Sequence, residues 1–116
     1  MTALVEGYAM AVLTSNIAAS GTNGSHVYVS VPNEPIFAVE TPAALTSTAL
    51  KFEYSPDGGT TFKKVYNEGT EYSLTVAASR FIVVNAAVFR GLSCVRPVAQ
   101  SSEAAAREIK FHTAVA

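Results

Sequence analysis

At 116 residues, 49% of them hydrophobic and 15% charged, the chain is sized for one domain. A compact fold of this length buries roughly two thirds of the unfolded surface. Eight basic residues against nine acidic ones give a net charge of −1, without the basic excess of a nucleic-acid binder. No apolar stretch approaches the ~20 residues of a membrane-spanning helix, and the single cysteine, Cys94, excludes an internal disulfide framework.

The start, Met1-Thr2-Ala3-Leu4-Val5-Glu6, has neither a basic n-region nor a long apolar h-region, so synthesis in a cytoplasm is expected. Residues 1–25 read as an N-terminal arm and loop, or as a first strand, and residues 26–116 as a β-sandwich domain. The run Tyr8 to Leu13 has the length of a strand. It also belongs to a segment, Met1 to Thr14, rich enough in apolar residues to be buried against a partner. On the arm reading, Leu4, Val5, Tyr8 and Met10 are the partner-binding residues. Ser15 to Ser25, small and polar with Gly21 and Gly24, reads as a flexible loop.

From His26 to Val31 three valines alternate with polar or amphipathic residues, the period-two pattern of a strand, until Pro32 stops it. Ile36 to Glu40 follows and Pro42 closes it. In Leu50 to Ser55, Leu50, Phe52 and Tyr54 share one face while Lys51 and Glu53 share the other. Thr61 to Tyr66 is the expected return strand, and Glu71 to Val76 alternates again. Phe81 to Val84 is wholly apolar, as expected of a central strand covered on both sides. Leu92 to Arg96 is ended by Pro97, and Arg107 to Val115 is the last strand. About eight or nine short strands joined by Gly, Pro, Asn and Ser turns predict an all-β chain, a single antiparallel β-sandwich of Ig-like or jelly-roll-like type with little helix. The one helix candidate, Ser101 to Arg107, reads equally as a loop. The predicted core comprises Val29, Phe52, Tyr54, Phe62, Leu74, Val76, Ile82, Val84, Ile109 and Phe111.

Ser55-Pro56-Asp57-Gly58-Gly59-Thr60-Thr61-Phe62 has the chemistry of a hairpin loop. Pro56 fixes φ, Asp57 can accept from the backbone ahead, and the two glycines can take positive φ. The string resembles the Asp-box pattern, which implies a structural hairpin. It occurs once, so a propeller does not follow. Asn67-Glu68-Gly69-Thr70 reads as the next tight turn. One carboxylate in the loop falls short of the oxygen count a hard cation needs, and no zinc spacing, phosphate loop or nucleophile elbow is present. Cys94 lacks a neighbouring base, and His26 and His112 fall on the polar phases of their strands. Glu53 and Glu71 lie on outward phases with Lys51 and Lys63 placed to neutralise them, a surface ion-pair lattice rather than an acid/base pair. No catalytic residue, metal or cofactor is expected, and the chain is not read as an enzyme.

The order of features from Thr41 to Val115 resembles small virion proteins of tailed bacteriophages. Pro42 to Phe52 leads into the Ser55 to Phe62 hairpin and a tyrosine-containing strand, Val65-Tyr66. The Asn67 to Thr70 turn and Glu71 to Val76 come next, then Phe89-Arg90-Gly91 before Leu92 to Arg96, and Pro97 to Gln100 before the final strand. Such proteins look like β-sandwich head or neck components. The resemblance implies a structural role, with capsid decoration (cement) on the phage head as the leading expectation. The implied partners are the major capsid protein or another virion protein and further copies of the chain, with no nucleic acid or membrane; the implied location is the virion. A neck, tail or fibre-base component, or a carbohydrate-binding β-sandwich module using Tyr28, Tyr54 and Tyr66, is the alternative.

Overall fold

The computed structural model describes residues 2–5, 8–29 and 34–114, the backbone alone over 2–5 and 8–9. Strand accounts for 49% of the described residues and helix for 4%, so the fold is all-β. Its first sheet has five antiparallel strands in the order β1 (Thr2–Val5), β2 (Tyr8–Ile17), β12 (Arg107–Ala114), β4 (Ile36–Glu40) and β10 (Phe81–Val83). The second sheet runs β3 (Val27–Tyr28), β11 (Cys94–Ala99), β5 (Ala49–Tyr54) and β6 (Lys63–Lys64), with β9 (Ser73–Thr75) also on β5. β7 (Tyr66–Asn67) and β8 (Thr70–Glu71) form a separate small hairpin, and α1 (Ala86–Phe89) is one helical turn capped by the Asn85 side chain.

The sheets meet through their apolar faces. Ile17, Ile36, Val39, Ile109 and Phe111 come from the first sheet; Val27, Leu50, Phe52, Val95 and Ala99 come from the second. Phe52 sits at the centre, with its ring 5.2 Å from Phe89, 5.7 Å from Tyr72 and 6.1 Å from Phe111. Val29, Val76, Val84, Ile109 and Phe111 are buried as expected, while Tyr54, Leu74 and Ile82 pack partly buried against the core. Phe62 is only half-buried, because its ring is covered by the Arg96 guanidinium 3.7 Å above it rather than by the core.

Several local readings are corrected. The run from Tyr8 takes the strand course and extends to Ile17, pairing with β12 from Met10 to Ile17. Ser15 and Ile17 are therefore strand residues, both buried, and not the beginning of a loop. The loop that follows is tied down. Ser20 N–H donates to Glu103 O at 2.7 Å, Gly24 N–H to Pro97 O at 2.8 Å, and Ala99 N–H to Thr22 O at 2.8 Å. A Cβ on Gly24 would lie 2.6 Å from Pro97 Cγ, so only glycine allows this approach.

Pro97 does not end a strand but lies within β11, opposite Phe52. Cys94 O accepts from Ser55 N–H on the β5 side, whereas Pro97 O accepts from Gly24 N–H on the other. By the alternation of the ladder, the N–H that proline lacks would point away from β5, so no bond of the sheet is lost. The expected return strand from Thr61 to Tyr66 shrinks to Lys63–Lys64. Ser101 to Arg107 holds no helix before β12 begins at Arg107. Phe81–Val83 is an edge strand, not a central one. The Pro32 stop lies outside the described residues.

Candidate interaction surface

The outward face of the first sheet carries the most unusual chemistry on the molecule. Cross-strand partners share a face. One outward row runs Thr14, Lys110, Glu40, Phe81, and the next runs Val12, His112, Ala38, Val83. The register shifts between His112 and Thr113, which pair with Ala38 and Ile36 and leave Phe37 as an extra residue on β4. A bulge of this kind re-aims one side chain. Here Phe37 swings to the outer face, its ring 6.4 Å from Phe81 and 6.5 Å from His112, while Ile36 and Val39 stay in the core. Phe81 and His112 are themselves 4.8 Å apart, and His112 Nε2 lies 2.9 Å from Glu40 Oε1.

The result is an aromatic and aliphatic stripe across the sheet, open to solvent. Met10 is 40% exposed, Val12 45%, Phe81 54% and Val83 71%. Beside it lies a shallow groove of about 410 Å³ lined by Met10, Val12, Phe37 and His112, among others. Of the residues read from the sequence as partner-binding, Met10 lies on this surface; the side chains of Leu4, Val5 and Tyr8 lie outside the described residues. Val12, Phe37, Phe81 and Val83 were not singled out as surface residues. The available signal was the unbroken apolar run in two strands: Met10-Ala11-Val12-Leu13 and Phe81-Ile82-Val83-Val84 each place apolar residues on both phases. Such a strand must be covered twice or leave one face open.

The hairpin at Asp57 spends its polar groups on itself. Asp57 Oδ1 accepts from the backbone N–H of Thr61 at 2.9 Å and of Thr60 at 3.1 Å, and from Ser55 Oγ at 2.8 Å. Oδ2 accepts from Thr61 Oγ1 at 2.7 Å. These bonds, Thr61's first, hold the carboxyl well below the usual carboxylate range. Ser55 Oγ accepts in turn from Gly59 N–H at 2.7 Å, and Tyr28 Oη donates to Gly58 O at 2.7 Å. Gly58 and Gly59 have φ of 77° and 114°. The loop is a self-satisfied turn clamped against His26 and Tyr28.

The outward face of the second sheet is an ion-pair lattice. Lys51 Nζ lies 3.2 Å from Glu71 Oε1, and Arg96 Nη2 lies 2.6 Å from Glu53 Oε1, so Arg96 rather than Lys63 partners Glu53. Cys94 is buried; burial, and then the Asp57 charge, push its thiol up and keep it protonated. His26 precedes β3 and packs on Tyr28 beside the Asp57 hairpin, whereas His112 lies on β12 of the other sheet against Glu40. Among the described residues no three His, Cys, Asp or Glu side chains group so as to hold a metal ion, and no helix is long and apolar enough to cross a membrane.

Sequence reasoning passed over Glu103, a fully buried carboxylate. Its oxygens accept from Thr46 N–H at 2.8 Å, Ser47 N–H at 2.9 Å and Arg107 Nε at 2.9 Å. Burial alone would raise its pKa; the bonds from Thr46, Ser47 and Arg107 outweigh burial and hold it at about 2. Glu103 closes a clasp between the loops at 46–47, 20–21 and 101–107. Its spacing of four residues from Arg107 was the available signal, but that spacing pointed to a helix. No known family model matches the chain, and no curated protein is a significant relative of it.

Proposed function

We propose that the chain is a structural virion protein, a capsid decoration protein that binds and stabilises the head of a tailed bacteriophage. The observation that carries this reading is the open apolar stripe of Met10, Val12, Phe81 and Val83 on a small, nearly neutral β body. Exposed contiguous apolar surface marks a contact with another macromolecule. Near-zero net charge suits dense packing of many copies, since self-repulsion is then small. The order of features from Thr41 to Val115, which resembles phage head and neck proteins, supports a virion protein as the partner.

The test is co-sedimentation of the full chain with heads assembled without it. Saturable binding is expected, weakened at least tenfold by Val12→Lys, with an unchanged melting curve for the free protein. A chain that fails to bind heads but co-fractionates with necks or tails assigns it to those structures instead. A carbohydrate-binding module is the second reading, favoured by the exposed Tyr28 and Tyr66 rings. Specific glycan retention lost in Tyr66→Ala, together with no head binding, would establish that alternative.

A further inference from the structure

We propose that the chain forms a two-fold symmetric dimer through β10, antiparallel and centred on Ile82, joining two five-stranded sheets into one of ten strands. The hydrogen-bond parity of β10 carries the inference. Arg80 N–H donates to Thr41 Oγ1 at 2.8 Å and Arg80 O accepts from Thr41 N–H at 2.9 Å; Val84 N–H donates to Phe37 O at 2.8 Å. Arg80 and Val84 thus face β4. Alternation along the strand puts Ile82, paired with Val39, on the same side. The N–H and C=O groups of Phe81 and Val83 therefore point to the free edge, where no described strand pairs with them.

A row of unpaired donors and acceptors calls for another strand, and natural edges are ordinarily blunted by charge, proline or extreme shortness. The second sheet follows that rule: its edge strand β6 is Lys63–Lys64. β10 carries no charge and no proline, and both of its outward side chains are large and apolar. Only shortness restrains it.

A second copy fits this edge because the edge is self-complementary. With Ile82 of each copy on the axis, Phe81 of one copy faces Val83 of the other and exchanges both N–H···O bonds with it; the symmetric pair does the same. On the outer face the Phe81 ring then lies against a β-branched valine, a favourable cross-strand pair. The two Arg80 side chains fall at opposite ends of the ladder, so like charges do not meet. The axis stands perpendicular to the sheet, so both apolar outer faces end on the same side. This dimer does not rest on the virion reading.

Sedimentation equilibrium of the full chain, with no capsid component present, tests it. The expected result is a reversible dimer of the 12.2 kDa chain. Phe81→Lys and Val83→Glu should each weaken association at least tenfold while leaving the thermal midpoint of the diluted monomer nearly unchanged, since both side chains are exposed and a lysine at position 81 lies opposite Glu40. The double substitution should restore the dimer, because the new ammonium at position 81 faces the new carboxylate at position 83 of the other copy. Val83→Pro, which removes an N–H from the free edge only, should again yield monomer. Wild-type protein that is monomeric at every loading overturns the proposal. So does a dimer that survives both single charge substitutions, or one that the double substitution fails to restore.

Discussion

Glu103 is a buried carboxylate held by three donors from outside its own turn, and its contribution is pH-dependent. Its folded pKa of about 2 lies below the ordinary 4.5, so the folded state binds the proton less well than the unfolded state does. The stabilisation is fully present above pH 4.5 and is lost as pH falls toward 2, a span worth about 3 kcal/mol. Asp57, lowered in the same direction, adds to the same acid limb. Urea melts between pH 2 and 7 should show stability falling on acidification below 4.5, with a shallower limb in Glu103→Gln. Glu103→Ala should cost about 3–5 kcal/mol, because it leaves Arg107 and the backbone amides of Thr46 and Ser47 without their acceptor. Phe52, with no exposed surface and three aromatic neighbours, should cost about 3–5 kcal/mol on truncation to alanine. Denaturant unfolding reads both; a Phe52→Ala loss under about 1 kcal/mol would mean the inter-sheet core closes over the gap.

Among the elements, the Ser55 to Phe62 hairpin and β10 show opposite designs. The hairpin satisfies every oxygen of Asp57 from its own donors, so it folds locally and offers no group to a ligand. Gly59→Val should lower the thermal midpoint more than Asp57→Ala does. Its φ of 114° disfavours any side chain, and a Cβ there would sit 2.7 Å from the His26 ring. Calorimetry of the two variants checks the order, and a calcium titration of the wild type should show no tight binding. β10 leaves Phe81 and Val83 open both at the backbone and at the side chain. Its exposure arises from strand order: β12 closes one side of β4 and β10 the other, and no described strand follows.

At the scale of the molecule, the two outer faces divide the chemistry. One is an ion-pair lattice of Lys51, Glu53, Glu71 and Arg96, the other an apolar stripe with His112 and Glu40 at its rim. β2 spans the apolar side and pairs with β12 over eight residues, Met10 to Ile17. Deleting residues 1–14 should therefore abolish the cooperative melt, because it strips Met10 to Thr14, five of the eight β2 partners of β12, and with them the cover of Phe111 by Leu13. Circular dichroism on the truncated chain checks this. An unchanged midpoint would mean that the remaining strands fold without β2 and that the segment acts as an arm.

The sequence by itself determined the class of this fold and much of its core. Period-two runs with Gly, Pro and Asn turns between them specify antiparallel strands, and Phe52, Ile109 and Phe111 fall on inward phases wherever those strands are placed. The Asp57 turn was legible for the same reason, since its chemistry is local. Strand neighbours were not legible. β12 lies between β2 and β4, and β11 between β3 and β5, and no local pattern encodes such pairings. That order decided that Phe81–Val83 stands at an edge, that Pro97 sits harmlessly inside a strand, and that Glu103 is enclosed by loops distant in sequence. The bulge that turns Phe37 outward is likewise a consequence of register between β4 and β12. Side-chain periodicity fixes the phase of each strand, but only long-range pairing fixes which phases remain uncovered, and the candidate interaction surface is made of those.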